Sequence, residues 1–320
     1  MLEVVGQQRL ADIFYKIYKD GRLVNSYLLK GPDGIGKRDF ALFMAGIILC
    51  RENRACGICS SCKKIESNNH PDLILFSKGN DTILVKDIEE IIDRINVKPY
   101  EGDKKVVIIE NIENMRVEAQ NKFLKTLEEP SDDTIIILTA NHLNTVLETI
   151  ISRCQIFTLQ RAQNEDIEKY LIRKGVNEVK ARAISKLSDG ILGNAFKFLN
   201  KDYVELREQT IDIATKMHKY DGYELLELVN FFVDKKDSIV DILDILAYWY
   251  RDILMYKIML NKEVLINEDY SDIIINESKL LSLNKIYKII DNISEAKKQL
   301  NFNANFQLTF EVMLLNIQED

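Results

Sequence analysis

Gly31-Pro32-Asp33-Gly34-Ile35-Gly36-Lys37-Arg38 decides the fold, because it follows the phosphate-cradling pattern G-x-x-x-x-G-K-[ST] up to its last position and then departs from it. In that pattern the glycines let successive backbone N–H groups curl around phosphate oxygens, the lysine reaches the terminal phosphates, and the closing hydroxyl holds Mg²⁺. Gly31, Gly36 and Lys37 are in place, with Gly34 between them. Arg38 is no metal ligand, since a guanidinium is always cationic and has no lone pair to offer. The stretch points to a nucleotide-binding fold whose chemistry has been lost.

The flanks support that reading. Ser26-Tyr27-Leu28-Leu29-Lys30 is a short, largely apolar run, and the segment Asp39 to Leu49 is apolar enough for a buried helix. Strand, loop and helix in that order separate a phosphate loop from an ordinary glycine-rich turn.

With 320 residues, 46% of them hydrophobic, the chain has room for two or three domains with their own cores. The opening Met1-Leu2-Glu3-Val4-Val5 carries no cleavable signal pattern, and no apolar run approaches the roughly 20 residues of a membrane span, so a cytoplasmic location is expected. A net charge of -7 argues against strong nucleic-acid affinity of the isolated chain, because phosphate binding needs clustered Lys and Arg. Only 4 prolines and 13 glycines interrupt the sequence, which predicts long helices, above all after about residue 160.

Before the loop, Leu10, Ile13, Phe14 and Ile17 follow helical spacing and predict a helix packed beside the first strand. After it, Cys50, Cys56, Cys59 and Cys62 concentrate four of the 5 cysteines in one short segment. Thiolates so spaced can converge on one tetrahedral ion, with Gly57-Ile58 as the turn, which points to structural zinc. Four ordinary thiols are the bland alternative; a disulfide fits a reducing cytosol less well. His70 could replace Cys50 but reads as a loop histidine. A closed four-cysteine site leaves no position for water and would order a small insertion without catalysis.

Ile88, Ile91, Ile92 and Ile95 form a helical stripe, and Val106-Val107-Ile108-Ile109 is the continuous apolar run of a central parallel strand. Glu110-Asn111 follow where a working ATPase of this kind carries Asp, orienting Mg²⁺, and Glu, polarising water; Asn111 cannot act as a base. Arg116 to Glu129 reads as a helix with Ala119, Phe123, Leu124 and Leu127 on one stripe, stopped by Pro130, and Thr134 to Thr139 is another buried strand. Arg153 then lies in a short polar turn before Ile156-Phe157-Thr158-Leu159.

Together, the loop, the cysteine cluster, Ala119-Gln120-Asn121-Lys122-Phe123-Leu124-Lys125-Thr126-Leu127-Glu128-Glu129-Pro130 and Ser152-Arg153-Cys154 resemble the bacterial clamp-loader family of AAA+ proteins. Tyr248-Trp249-Tyr250-Arg251-Asp252 and Asn303-Ala304-Asn305 extend the resemblance into the C-terminal part. It implies an α/β P-loop AAA+ domain, a parallel sheet with flanking helices, over 1–160 with a zinc module at 50–62, a helical lid over 161–203 and an all-α collar over 204–320. The implied partners are gamma/tau and delta subunits in a hetero-pentamer, and through them a sliding clamp and primed DNA; no membrane is involved. Arg153 matches the arginine that such subunits insert into a neighbour's ATP site. The degenerate nucleotide set would be Gly31, Gly34, Gly36, Lys37, Arg38, Glu110, Asn111 and Thr139, and the position of a lid sensor arginine holds Gly193. Three losses with Arg153 retained fit a non-hydrolysing end subunit, with zinc as structural cofactor, ATP binding doubtful and no independent catalysis expected. The competing reading is an ATP-hydrolysing motor subunit.

Overall fold

The computed structural model describes residues 4–52, 54–217, 220, 222–301 and 305–318. Met1–Glu3 of the opening segment, and Asn303 and Ala304 of the C-terminal motif, lie outside the described residues. The order begins with α1 (Gln8–Lys19), β1 (Ser26–Lys30), α2 (Lys37–Leu49), α3 (Ser60–Glu66), β2 (Leu73–Phe76), α4 (Val85–Ile95) and β3 (Lys105–Ile109). It continues with α5 (Val117–Glu128), β4 (Thr134–Ala140), α6 (Glu148–Ile151), β5 (Gln155–Thr158), α7 (Asn164–Arg173), α8 (Glu178–Leu187) and α9 (Leu192–Lys197). The rest is helical: α10 (Lys201–Lys216), α11 (Gly222–Asp234), α12 (Ile239–Met259), α13 (Ser271–Leu280), α14 (Leu283–Asn301) and α15 (Phe306–Gln318).

The five strands form one parallel sheet in the order β2-β3-β4-β1-β5. Side chains alternate between its faces. Tyr27, Leu29, Val106, Ile108, Ile135 and Ile137 pack with α1, α2 and α3, while Leu28, Val107, Ile109, Ile136 and Leu138 pack with α4 and α5. Helices on both faces explain why β1, β3 and β4 carry runs of consecutive apolar residues, 27–29, 106–109 and 135–138, without the polar alternation of a one-sided sheet. This is the α/β P-loop architecture that the AAA+ resemblance implies. In α1 the core-facing residues are Ala11 and Phe14; Ile13 is 41% exposed and leaves the expected stripe. β2 was not foreseen, because a four-residue apolar run is ambiguous by periodicity.

The chain divides into two compact units, Met1–Ser185 with Asp189–Asn194, and Lys186–Ser188 with Ala195–Asp320. The second has its own helical core around Trp249, Tyr250, Phe232 and Phe310. Within it, buried Asp252 accepts hydrogen bonds from the Ile266 and Asn267 backbone N–H groups at 3.1 and 2.7 Å and is paired with Arg251 at 2.7 Å. The aromatic and charged motif on α12 therefore anchors the connection that precedes α13. Among the described residues no helix is long and apolar enough to cross a membrane.

Candidate functional site

The phosphate loop joins β1 to α2, so its amides and Lys37 sit at the carboxyl end of an interior strand, between β4 and β5, where a parallel sheet leaves a crevice. Gly34 and Gly36 take left-handed φ values of 73° and 96°, the curl such a loop requires. Lys37 is buried, and its Nζ donates to the carbonyl oxygens of Gly31 and Pro32, both at 3.0 Å, and to Asn141 Oδ1 at 2.5 Å. Burial pushes this ammonium below the usual lysine range, against the pull of Asp33, Glu113 and Glu110. The lysine that should meet phosphate is held by its own loop.

Arg38 pairs with Glu110, Nε lying 3.5 Å from Oε1. A guanidinium thus stands beside the carboxylate that follows β3. Asn111 adopts a left-handed conformation, φ 54°, which asparagine tolerates better than most residues. Its Nδ2 donates to the Gly79 carbonyl at 3.1 Å, and its N–H donates to Thr139 Oγ1 at 3.1 Å. Thr139 is therefore turned to the end of β3, and it is Asn141, two residues further on, that meets Lys37. The Asn141 N–H in turn donates to Glu113 Oε1 at 2.9 Å. Asn141 and Glu113 were missed by sequence reasoning; a polar residue just past the end of a buried strand was the available signal.

The start of α9 reaches the same loop. Gly193 N–H donates to the Gly34 carbonyl at 2.9 Å, and a Cβ added at Gly193 would lie 2.7 Å from Gly34 Cα. Glycine at this position is what allows the two backbones to touch. A cavity of 790 Å³ opens elsewhere, between α1, α2 and α7, and its lining includes no residue of the phosphate loop.

Cys50, Cys56, Cys59 and Cys62 converge, their sulfurs all within 4.8 Å of one another. The sulfur separations of 3.7, 3.8 and 3.9 Å for Cys50–Cys56, Cys50–Cys59 and Cys56–Cys62 match the edge of about 3.8 Å that a tetrahedron with metal–sulfur bonds of about 2.3 Å requires. Backbone N–H groups of Cys59 and Cys62 point at Cys56 Sγ and Cys59 Sγ, both at 3.4 Å, the partners a thiolate needs. Burial raises the Cys50 thiol, but backbone N–H groups of Cys56, Arg54 and Glu52 outweigh it and bring the thiol down to about 6. This cluster can hold a metal ion. His70 stands outside it, buried, with Nε2 2.9 Å from Ser61 Oγ and Nδ1 accepting from the Asp72 N–H at 3.1 Å.

Arg153 occupies the exposed turn between α6 and β5. Its Nη1 donates to the Thr149 carbonyl at 2.8 Å and its Nη2 to Glu128 Oε1 at 2.5 Å.

Residues 6–163 match the family model described as DNA polymerase III, delta subunit, and residues 201–319 match that of its C-terminal part. The DNA polymerase III subunit delta' of Bacillus subtilis (strain 168) is 32% identical over 319 residues, 98% of this chain and 96% of that protein. Subunit delta' of Pseudomonas aeruginosa is 37% identical over 135 residues, 41% of each chain. Subunit tau of B. subtilis is more distant, 24% identical over 346 residues that cover 98% of this chain and 61% of that protein. The chain belongs to the delta-prime subunit family of DNA polymerase III.

Proposed function

We propose that this chain is a non-hydrolysing end subunit of a DNA polymerase III clamp loader, which completes the ATP site of a neighbouring gamma/tau subunit with Arg153 during loading of a sliding clamp onto primed DNA. The Arg38–Glu110 ion pair carries the reading, since it places a fixed positive charge where a hydrolysing subunit needs a divalent ion. Lys37, engaged by Gly31, Pro32 and Asn141, and the Gly193 backbone against Gly34 support it, and make nucleotide binding by this chain weak. Gly31, Gly36 and Thr139 then serve the loop and sheet without taking part in chemistry. Residues 1–160 form the AAA+ domain, 161–203 the lid and 204–320 the collar that joins gamma/tau and delta in a hetero-pentamer. The ion in the four-cysteine cluster is zinc, ordering residues 50–62, and the location is the cytoplasm.

The test has two arms. The isolated chain should show no Mg²⁺-dependent ATP hydrolysis, and adding it to gamma/tau and delta should raise DNA-dependent ATP turnover and clamp loading. Partner-free turnover abolished by Lys37→Ala would replace this reading with that of a motor subunit.

A further inference from the structure

We infer that Glu128 is a positioning residue for Arg153, holding the guanidinium in its presenting geometry before a neighbour's nucleotide arrives. The inference rests on the reading of Arg153 as a residue that acts on a partner's site. Glu128 ends α5, and its Oε1 takes one Nη2 proton at 2.5 Å. The Thr149 carbonyl takes an Nη1 proton at 2.8 Å, and Ser152 Oγ lies 3.5 Å from the same nitrogen. Nε makes no hydrogen bond among the described residues, which leaves one edge of the guanidinium for an incoming anion. The side chain is fixed from behind and open in front.

Two considerations make this more than an incidental surface pair. A carboxylate in the last turn of a helix faces the negative end of the helix dipole, and Glu129 next to it adds a second like charge. Glu128 is thus poorly placed on its own helix, and the cation opposite it is Arg153. The two side chains are 34% and 46% exposed, so the pair contributes little to folding. Arginine has large rotamer freedom, and ordering it in advance removes that cost from the encounter with phosphate. The gain expected from fixing one such side chain is about two- to tenfold.

The experiment uses the clamp loader reconstituted with gamma/tau and delta, and compares Glu128→Ala, Glu128→Gln, Arg153→Ala and the Glu128→Ala/Arg153→Ala double variant, each first checked for assembly. Glu128→Ala should lower kcat of the Arg153-dependent ATP turnover about two- to tenfold with KM unchanged, as expected for a contact made in the transition state. Glu128→Gln keeps an acceptor oxygen and should recover most of the loss. In the Arg153→Ala background, Glu128→Ala should have no further effect. The inference is overturned if Arg153→Ala lowers turnover while Glu128→Ala does not, or if Glu128→Ala costs the same in both backgrounds. Unchanged turnover in Arg153→Ala alone would instead defeat the underlying reading of Arg153, and this one with it.

Discussion

Arg38, in the first turn of α2, and Glu110, just past the end of β3, form an ion pair in which the arginine side chain is 48% exposed and the glutamate 11%. Glu110 Oε1 accepts no hydrogen bond among the described residues, so the nearby guanidinium is its main compensation. The two charges neutralise one another at the mouth of the phosphate loop. The losses at these positions are coupled in one direction: the buried acid without the arginine would be costly, whereas the half-exposed arginine without the acid would be solvated.

Arg38→Thr should therefore fail to restore Mg²⁺-dependent ATP hydrolysis in the isolated chain. The hydroxyl returns, but Asn111 still lacks a base and remains tied to Gly79. Removing the guanidinium strands a buried carboxylate, at a cost of about 1 kcal/mol once the arginine's exposure is allowed for. Equilibrium unfolding together with a phosphate-release assay measures both effects. Steady turnover by the single variant would mean that Asn111 is no obstacle.

Gly193→Ala should destabilise the first compact unit. The new Cβ would fall 2.7 Å from Gly34 Cα and 3.1 Å from its carbonyl oxygen, both backbone atoms that cannot swing aside. Overpacking of this kind costs about 1–3 kcal/mol. Denaturant titration should show a lower midpoint with an unchanged slope, and an unchanged midpoint would mean that the start of α9 moves off the loop without penalty.

Metal removal should unravel the cysteine segment and spare the sheet. α3 is short and buries only Ser61, Cys62 and Ile65, so its folding depends on the roughly 10–16 kcal/mol that a structural metal supplies. One zinc per chain is expected by elemental analysis. Cys59→Ser, or a strong chelator, should release it and raise amide exchange in residues 50–66 while protection in β1, β3 and β4 persists. A metal-free preparation with full protection there would sink the assignment.

How much of this was legible beforehand follows from where the determinants lie in the chain. The phosphate loop, Cys50 to Cys62, and the runs of β1, β3 and β4 announce themselves, because local backbone geometry or two-sided burial constrains each stretch by itself. Arg38 and Glu110 were readable as separate losses, but their pairing needs the sheet to bring β3 beside the loop. The same holds for Lys37 and Asn141, which are 104 positions apart, and for Gly34 and Gly193, which meet only because the chain returns after α8. Ile13 shows the opposite error, since helical spacing tolerates an apolar residue just off the buried face.

Arg153→Ala tests the function most directly. The side chain lies at the surface in a turn, and its pair with Glu128 is worth about 0.2–1 kcal/mol, so the variant should fold and assemble with little change in melting temperature. In the reconstituted complex it should lower ATP turnover and clamp loading, because a guanidinium beside the γ-phosphate stabilises charge that develops during phosphoryl transfer, an effect of roughly 10³–10⁵ in rate at the site it serves. ATP sites that Arg153 does not reach should keep their activity, so bulk turnover should fall only by the share of the affected site. Arg153→Lys should rescue poorly: an ammonium is a point charge, whereas the planar guanidinium can hold Glu128 and Thr149 with one edge and a phosphate with the other. Single-turnover hydrolysis and fluorescence-monitored clamp loading measure the two readouts separately. Wild-type rates in an Arg153→Ala complex of normal composition would show that the Glu128 pair is all this arginine provides.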